Sequence, residues 1–175
     1  MGQAPRKYID RSDKEVEIAL ARYGFELGDL DGSAKTGFTP EDLIIEILSK
    51  RPEPMYIRGI PVVLSKTQVD YDMLLKKALE KEIPEKLGYI LSFAKKAFEE
   101  ERITPPNNEG LVAVIEKLKL YIPKKEVLLN KNFQSESYRQ SARETLRKLS
   151  IDYWNVLAKP NINRTRENIR LYDGR

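Results

Sequence analysis

The chain contains no cysteine and no histidine. Without cysteine no disulfide forms, so the composition carries no sign of an oxidising compartment. Zinc sites built on Cys and His are excluded. Cysteine nucleophiles, histidine bases and the serine–histidine–aspartate arrangement are excluded as well. The chemistry left open is carboxylate-held Mg²⁺ or Mn²⁺, carboxylate pairs, and lysine or tyrosine chemistry. Long apolar runs are missing too, and none approaches the roughly 18 residues of a membrane span. The opening MGQAPRKYIDRSDKE lacks the apolar stretch of a signal peptide, and Arg6 stands where a myristoylation context takes Ser or Thr. A cytoplasmic protein with no membrane partner is expected.

Cofactor signatures are absent in the same way. Gly28, Gly32 and Gly37 form neither G-x-G-x-x-G nor G-x-x-x-x-G-K-[ST], and Lys35–Thr36 lacks the glycines that should precede it. A calcium loop with Gly32 at its sixth position would take Leu27, Asp29 and Asp31 as early ligands and Phe38 in place of the bidentate glutamate. Leu27 and Phe38 cannot ligate, so the segment reads as an Asp–Gly turn. No cofactor is expected.

What the chain does have is charge, unevenly placed. Its 175 residues are 41% hydrophobic and 33% charged, with a net charge of +4. That is one domain's length, too apolar for global disorder. Residues 1–50 carry 7 basic and 10 acidic side chains, residues 51–110 carry 10 of each, and residues 111–175 carry 14 basic against 7 acidic. The positive excess lies in the last third, where it can attract a phosphate backbone or an acidic protein surface. Abundant Lys and Glu are also compatible with a thermophilic source.

The pattern along the chain is helical. Ser12 with Glu15 makes a capping box, followed by Val16, Ala19, Leu20 and Tyr23 at helical spacing and by Gly24 as a stop. Thr39 caps a second helix with Pro40 at its first position and Leu43, Ile44, Ile47 and Leu48 inward. Further helices are expected over 67–82, 85–102, where Pro84 opens the turn, and 109–121. A last long helix starts near Ser135 or Ser137, with Ser137 and Gln140 as a second capping box. Its stripe Tyr138, Ala142, Leu146, Leu149, Tyr153 and Leu157 carries it toward Pro160. The segment YIRGIPVVL mixes β-branched residues with Gly59 and Pro61 and reads as an edge strand or buried connector. The expected fold is mainly α: a compact bundle of about six helices with one short extended or β-like insertion. Residues 1–159 form a single helical domain with a candidate subdomain boundary at 104–108, and residues 160–175 form a basic C-terminal arm.

Candidate binding residues follow from charge and spacing. Arg139, Arg143 and Arg147 recur every fourth residue and form one ridge, with Lys148 beside it. Arg164, Arg166 and Arg170 follow in the arm. Guanidinium groups at these places suit phosphates or an acidic partner. Ile57, Arg58, Ile60, Tyr153 and Trp154 are the candidate protein interface. Asp70, Asp72, Glu80 and Glu82 were weighed for a metal, but residues two apart do not share a helix face. No catalytic or metal-ligating residue is assigned. The expected function is a non-enzymatic helical protein-interaction or assembly module, by a protein partner or by self-association. Binding of DNA or RNA through the basic C-terminal region is the alternative. A carboxylate-metal enzyme acting on a nucleotide or nucleic acid is the second alternative.

Overall fold

The computed structural model of the chain describes residues 8–28, 35–130 and 135–172. Thr39 sets the clearest helix start. Its hydroxyl accepts the Asp42 N–H at 3.1 Å, Pro40 takes the first helical position, and α2 runs Pro40–Lys50. The helix before it, α1, spans Tyr8–Arg22, so it begins ahead of Ser12 and the expected capping box is not its start. Gly24, at φ 102°, ends it by letting Phe25 N–H reach back to Leu20 O.

The order then continues with α3 (Pro54–Ile57), α4 (Gly59–Lys66), α5 (Tyr71–Glu80), α6 (Pro84–Glu101), α7 (Asn108–Leu118), β1 (Val127–Leu128), α8 (Glu136–Lys148), β2 (Val156–Leu157) and α9 (Ile162–Tyr172). Short 3-10 turns lie at Lys119–Tyr121 and Asp152–Trp154. The fold is mainly α, as expected. Buried side chains from Val16 to Ile169 form one continuous core. The helix-breaking segment 104–108 is tied to the rest of the fold by Asn107, which caps α7 through Gly110 N–H and donates its side-chain amide to Val69 O at 2.9 Å.

Three expectations need correction. The segment expected to be extended is α3 and α4. Residues Gly59–Ser65 of α4 are all buried, so the segment shows no amphipathic period, and its β-branched residues mimic a strand. Pro61 fits because it lies in the first helical turn, where its missing N–H has no intrahelical partner to lose. The small parallel sheet lies elsewhere, pairing Val127 with Val156 and Leu128 with Leu157. Second, α8 is capped by Ser135 and stops at Lys148, not near Pro160. Ser150, at φ 57°, turns the chain, and Ile151 N–H returns to Leu146 O. Third, the expected arm is helix α9, which packs on α4 and α6.

Helix α6 is the axis of the structure, touching α4, α5, α7, α9, β2 and both 3-10 turns. Its residues Gly88 and Ser92, one turn apart, receive the Trp154 indole. A Cβ at Gly88 would lie 2.1 Å from the ring, and Trp154 Nε1–H donates to Ser92 Oγ at 2.9 Å. Trp154 has no exposed surface. A substituent at Gly88 must therefore displace the indole or α6 itself. Gly88→Ala is expected to lower unfolding free energy by about 1–3 kcal/mol through overpacking. Urea denaturation followed by Trp154 fluorescence measures it, and an unchanged midpoint would contradict the packing. Ser150→Gly should do the reverse. Relief of the left-handed strain on a residue with a Cβ outweighs glycine's entropy, for a gain of about 0.5–1 kcal/mol in the same assay.

Candidate functional site

The expected Arg ridge forms on α8, but its middle member is already occupied. Arg143 grips Glu126 with two bonds, Nε to Oε2 at 2.9 Å and Nη2 to Oε1 at 2.8 Å, and its Nη1 donates to Glu136 at 2.9 Å. These two carboxylates hold the Arg143 guanidinium firmly charged, raising its pKa. Arg139 is likewise engaged within the protein. On α9, Arg166 donates to Glu101 at 2.5 Å and to Glu100 at 3.2 Å, while Arg170 lies 3.4 Å from Glu101. The glutamates at the end of α6 are thus the docking point of α9. Arg147 and Lys148 are exposed and form no ion pair among the described residues.

The expected protein interface divides. Ile60 and Trp154 have no exposed surface and belong to the core, so neither can meet a partner. The sequence pattern placed Trp154 beside a helical stripe, whereas the chain leaves the helix at Ser150 and turns the indole inward. Tyr153 stays 44% exposed, with Lys119 Nζ 5.9 Å above its ring. Ile57 and Arg58 stand elsewhere, at the mouth of a cavity. Of the four candidate carboxylates, two have structural partners: Asp70 Oδ1 accepts Met73 N–H as the cap of α5, and Asp72 pairs with Lys117 at 3.1 Å. Among the described residues no three His, Cys, Asp or Glu side chains are placed to hold a metal ion, and no helix is long and apolar enough to cross a membrane. The acids Asp29 and Asp31 of the calcium-loop comparison lie outside the described residues.

The cavity holds about 380 Å³ between the α3–α4 corner, α6, the β1–β2 pair and the start of α9. Its wall is apolar where Ile57, Tyr89, Ile90, Phe93, Leu129 and Ala158 meet. Tyr89 and Phe93, one turn apart on α6, stand nearly parallel, with ring centroids 6.4 Å apart and planes at 12°. Three cations line it as well: Arg58, Lys159 and Arg164. None of the three pairs with an acid among the described residues, and no lining residue is acidic. Arg58 is fixed by its Nε–H to Pro54 O at 3.1 Å, and Lys159 Nζ sits 4.6 Å from the Tyr138 ring centroid. Helix α9 starts here, with Asn161 Oδ1 accepting Arg164 N–H at 3.0 Å, so its positive end adds to the field.

Burial pushes the Tyr89 phenol far above its ordinary pKa, so it is a neutral O–H donor. The lining holds no carboxylate, histidine or thiol; it offers cations, hydroxyls and apolar area, and its groups able to move a proton are Lys159, Tyr89 and Tyr138. The sequence reading named Ile57, Arg58 and Arg164 and missed Tyr89, Phe93, Lys159 and Thr165. An aromatic pair four apart and an Asn cap after Pro160 were the local signals available. The rest comes from chain segments far apart in sequence.

The Arg143 clamp makes a pH prediction. Hydrogen bonding from Arg143 holds the Glu126 carboxyl below its ordinary value, against a smaller opposing effect of burial. A depressed folded value contributes stability above the unfolded value, and that stability is lost as pH falls through the folded one. In a carboxyl-carbon NMR titration Glu126 should titrate below the ordinary glutamate value. In Arg143→Gln it should return toward the ordinary value, and an unmoved midpoint would show that the pair is not formed in solution.

In comparisons with protein families, curated proteins and solved structures, none matches this chain, so its functional reading is carried by the cavity alone.

Proposed function

We propose that the protein is a non-enzymatic helical binding module that receives an acidic, apolar-tipped segment of a protein partner at the cavity between α4, α6 and α9. One observation carries this: the cations Arg58, Lys159 and Arg164, which no acid of the described residues neutralises, line a cavity with an apolar and aromatic wall and no acidic residue. Charge joined to concave apolar area suits a protein segment, whose buried side chains supply affinity while the cations steer and orient it. A nucleic-acid backbone would instead need a run of available cations along the surface. Arg143, Arg166 and Arg170 are committed to Glu126, Glu136, Glu100 and Glu101, which interrupts the rows of cations on α8 and α9; on the α8 ridge Arg147 and Lys148 form no ion pair among the described residues.

The two readings separate in one pair of experiments. A random peptide display library panned on the immobilised chain should enrich sequences that join Asp or Glu to an aromatic or aliphatic residue. Enrichment should vanish in Arg58→Ala/Arg164→Ala and survive in Arg147→Ala/Lys148→Ala. Titration with random DNA and RNA should give no micromolar binding at physiological salt. The opposite pattern overturns the proposal in favour of nucleic acid: micromolar binding with a log–log salt slope near about −0.7 per neutralised phosphate on single strands, lost in Arg147→Ala/Lys148→Ala.

A further inference from the structure

Two residues that line the cavity carry hydroxyls with no partner among the described residues. Tyr89 and Thr165 are each 2% exposed, both line the cavity, and neither side chain makes a hydrogen bond among the described residues. In the core, Ser65 Oγ–H donates to Val62 O at 2.7 Å and Ser92 Oγ accepts from Trp154, while the Tyr71 hydroxyl is buried without a partner among the described residues and lies away from the cavity lining. A hydroxyl without a protein partner that faces a cavity is hydrogen-bonded by water there, and a group that displaces the water must replace that bond. Here the pair sits beside the flat wall made by the Tyr89 and Phe93 rings. The cations are less buried than the hydroxyls: Lys159 and Arg164 are exposed and Arg58 is partly so.

The cavity is therefore graded. Its buried part offers neutral donors and acceptors against an aromatic wall, and its more exposed part offers positive charge. A dianion at depth would find no cation there. A purely aliphatic group would leave both hydroxyls unmet, a cost that falls on the complex. A flat ring with an oxygen at its buried end and an anion at the mouth satisfies every part.

We propose that the cavity is a site for a phenol-ended group flanked by negative charge, the tyrosine side chain of an acidic segment, with the phenol oxygen hydrogen-bonded by Tyr89 and Thr165 and the flanking acids met by Arg58 and Arg164. This rests on the cavity being the binding face. It adds the identity of the inserted side chain and a discrimination that a merely apolar pocket cannot make, because such a pocket accepts phenylalanine as readily as tyrosine. Burial keeps the Tyr89 phenol protonated and so preserves its donor through the neutral range.

The test is calorimetric titration of the full chain with two blocked peptides of the same acidic sequence, one with a central tyrosine and one with phenylalanine there. Tyrosine should bind about tenfold tighter, the worth of one buried hydrogen bond left unmade. In Tyr89→Phe/Thr165→Val the tyrosine peptide should fall to the level of the phenylalanine peptide, whose own affinity stays unchanged. That last measurement also shows that the variant remains folded, and Thr165→Ser should retain the preference. Equal affinity for the two peptides in the unaltered chain overturns the inference and leaves the binding-module reading standing. A preference that persists in the double variant overturns it as well, and failure of both peptides to bind overturns inference and reading together. A third arm uses free 4-hydroxyphenylpropionate. Binding as tight as the tyrosine peptide, lost in the same double variant, upholds the site and assigns it to a small phenolic acid instead of a protein segment.

Discussion

The seat of Trp154 on α6 is the contact on which the rest of the arrangement depends. Gly88 removes a side chain where the indole must lie, and Ser92 accepts its N–H at 2.9 Å. A buried tryptophan brings a large apolar area but needs a partner for one polar atom, and α6 offers both through a small residue followed one turn later by a hydroxyl. Fixing Trp154 fixes the chain on either side of it. Behind it Ser150 has turned out of α8, and ahead of it Val156 and Leu157 run alongside Val127 and Leu128. Ala158, Lys159, Pro160 and Asn161 follow directly. The cavity wall and the start of α9 are therefore placed by a tryptophan that does not line the cavity.

Four helix ends use the same device to reverse the chain. After α1, α5, α6 and α8 a residue with positive φ, namely Gly24, Glu82, Arg102 or Ser150, is followed by Phe25, Ile83, Ile103 or Ile151. In each case the apolar residue's N–H returns to a carbonyl five residues back, at 2.8 to 3.1 Å. Three of the four positive-φ residues carry a Cβ and a strain that glycine would avoid. That strain is offset by burying the following side chain and by satisfying carbonyls that the helix end would otherwise leave open. The motif is hard to see in a sequence because its visible residue is an ordinary apolar one after an ordinary polar one.

This explains which parts of the fold were legible. Helices α2 and α6 announce themselves with Thr39–Pro40 and Pro84, local signals whose physics is complete within one turn. Helix α4 does not, because a segment buried on all sides has no polar face to reveal its period. The end of α8 was misread because Leu149, Tyr153 and Leu157 continue the helical spacing by coincidence while Ser150 breaks the helix without a proline or glycine. Helix α9 looked like a tail because its composition is polar. Its order comes from Asn161 at its start and from Glu100 and Glu101, some 65 residues earlier in the chain. The cavity suffers from the same limit. Arg58, Tyr89, Lys159 and Thr165 share no local pattern, and only α6 and the Trp154 seat bring them together.

Charge gives the same lesson at the scale of the whole molecule. The sequence places an excess of 7 positive charges in residues 111–175, which invites a polyanion. Folding spends part of that excess internally. Glu100 and Glu101 come from the balanced middle of the chain to meet Arg166 and Arg170, and Glu126 and Glu136 close on Arg143. Each such pair fixes a helix while removing a cation from the set that a partner can reach. The cations that stay unpaired at the cavity include Arg58, which lies outside the basic third altogether. At physiological ionic strength an exposed charge is felt over only about 8 Å, so what decides recognition is which cations share a neighbourhood and what surface lies between them. At this cavity that surface is apolar and aromatic and carries the Tyr89 and Thr165 hydroxyls, and the three cations share a neighbourhood with it.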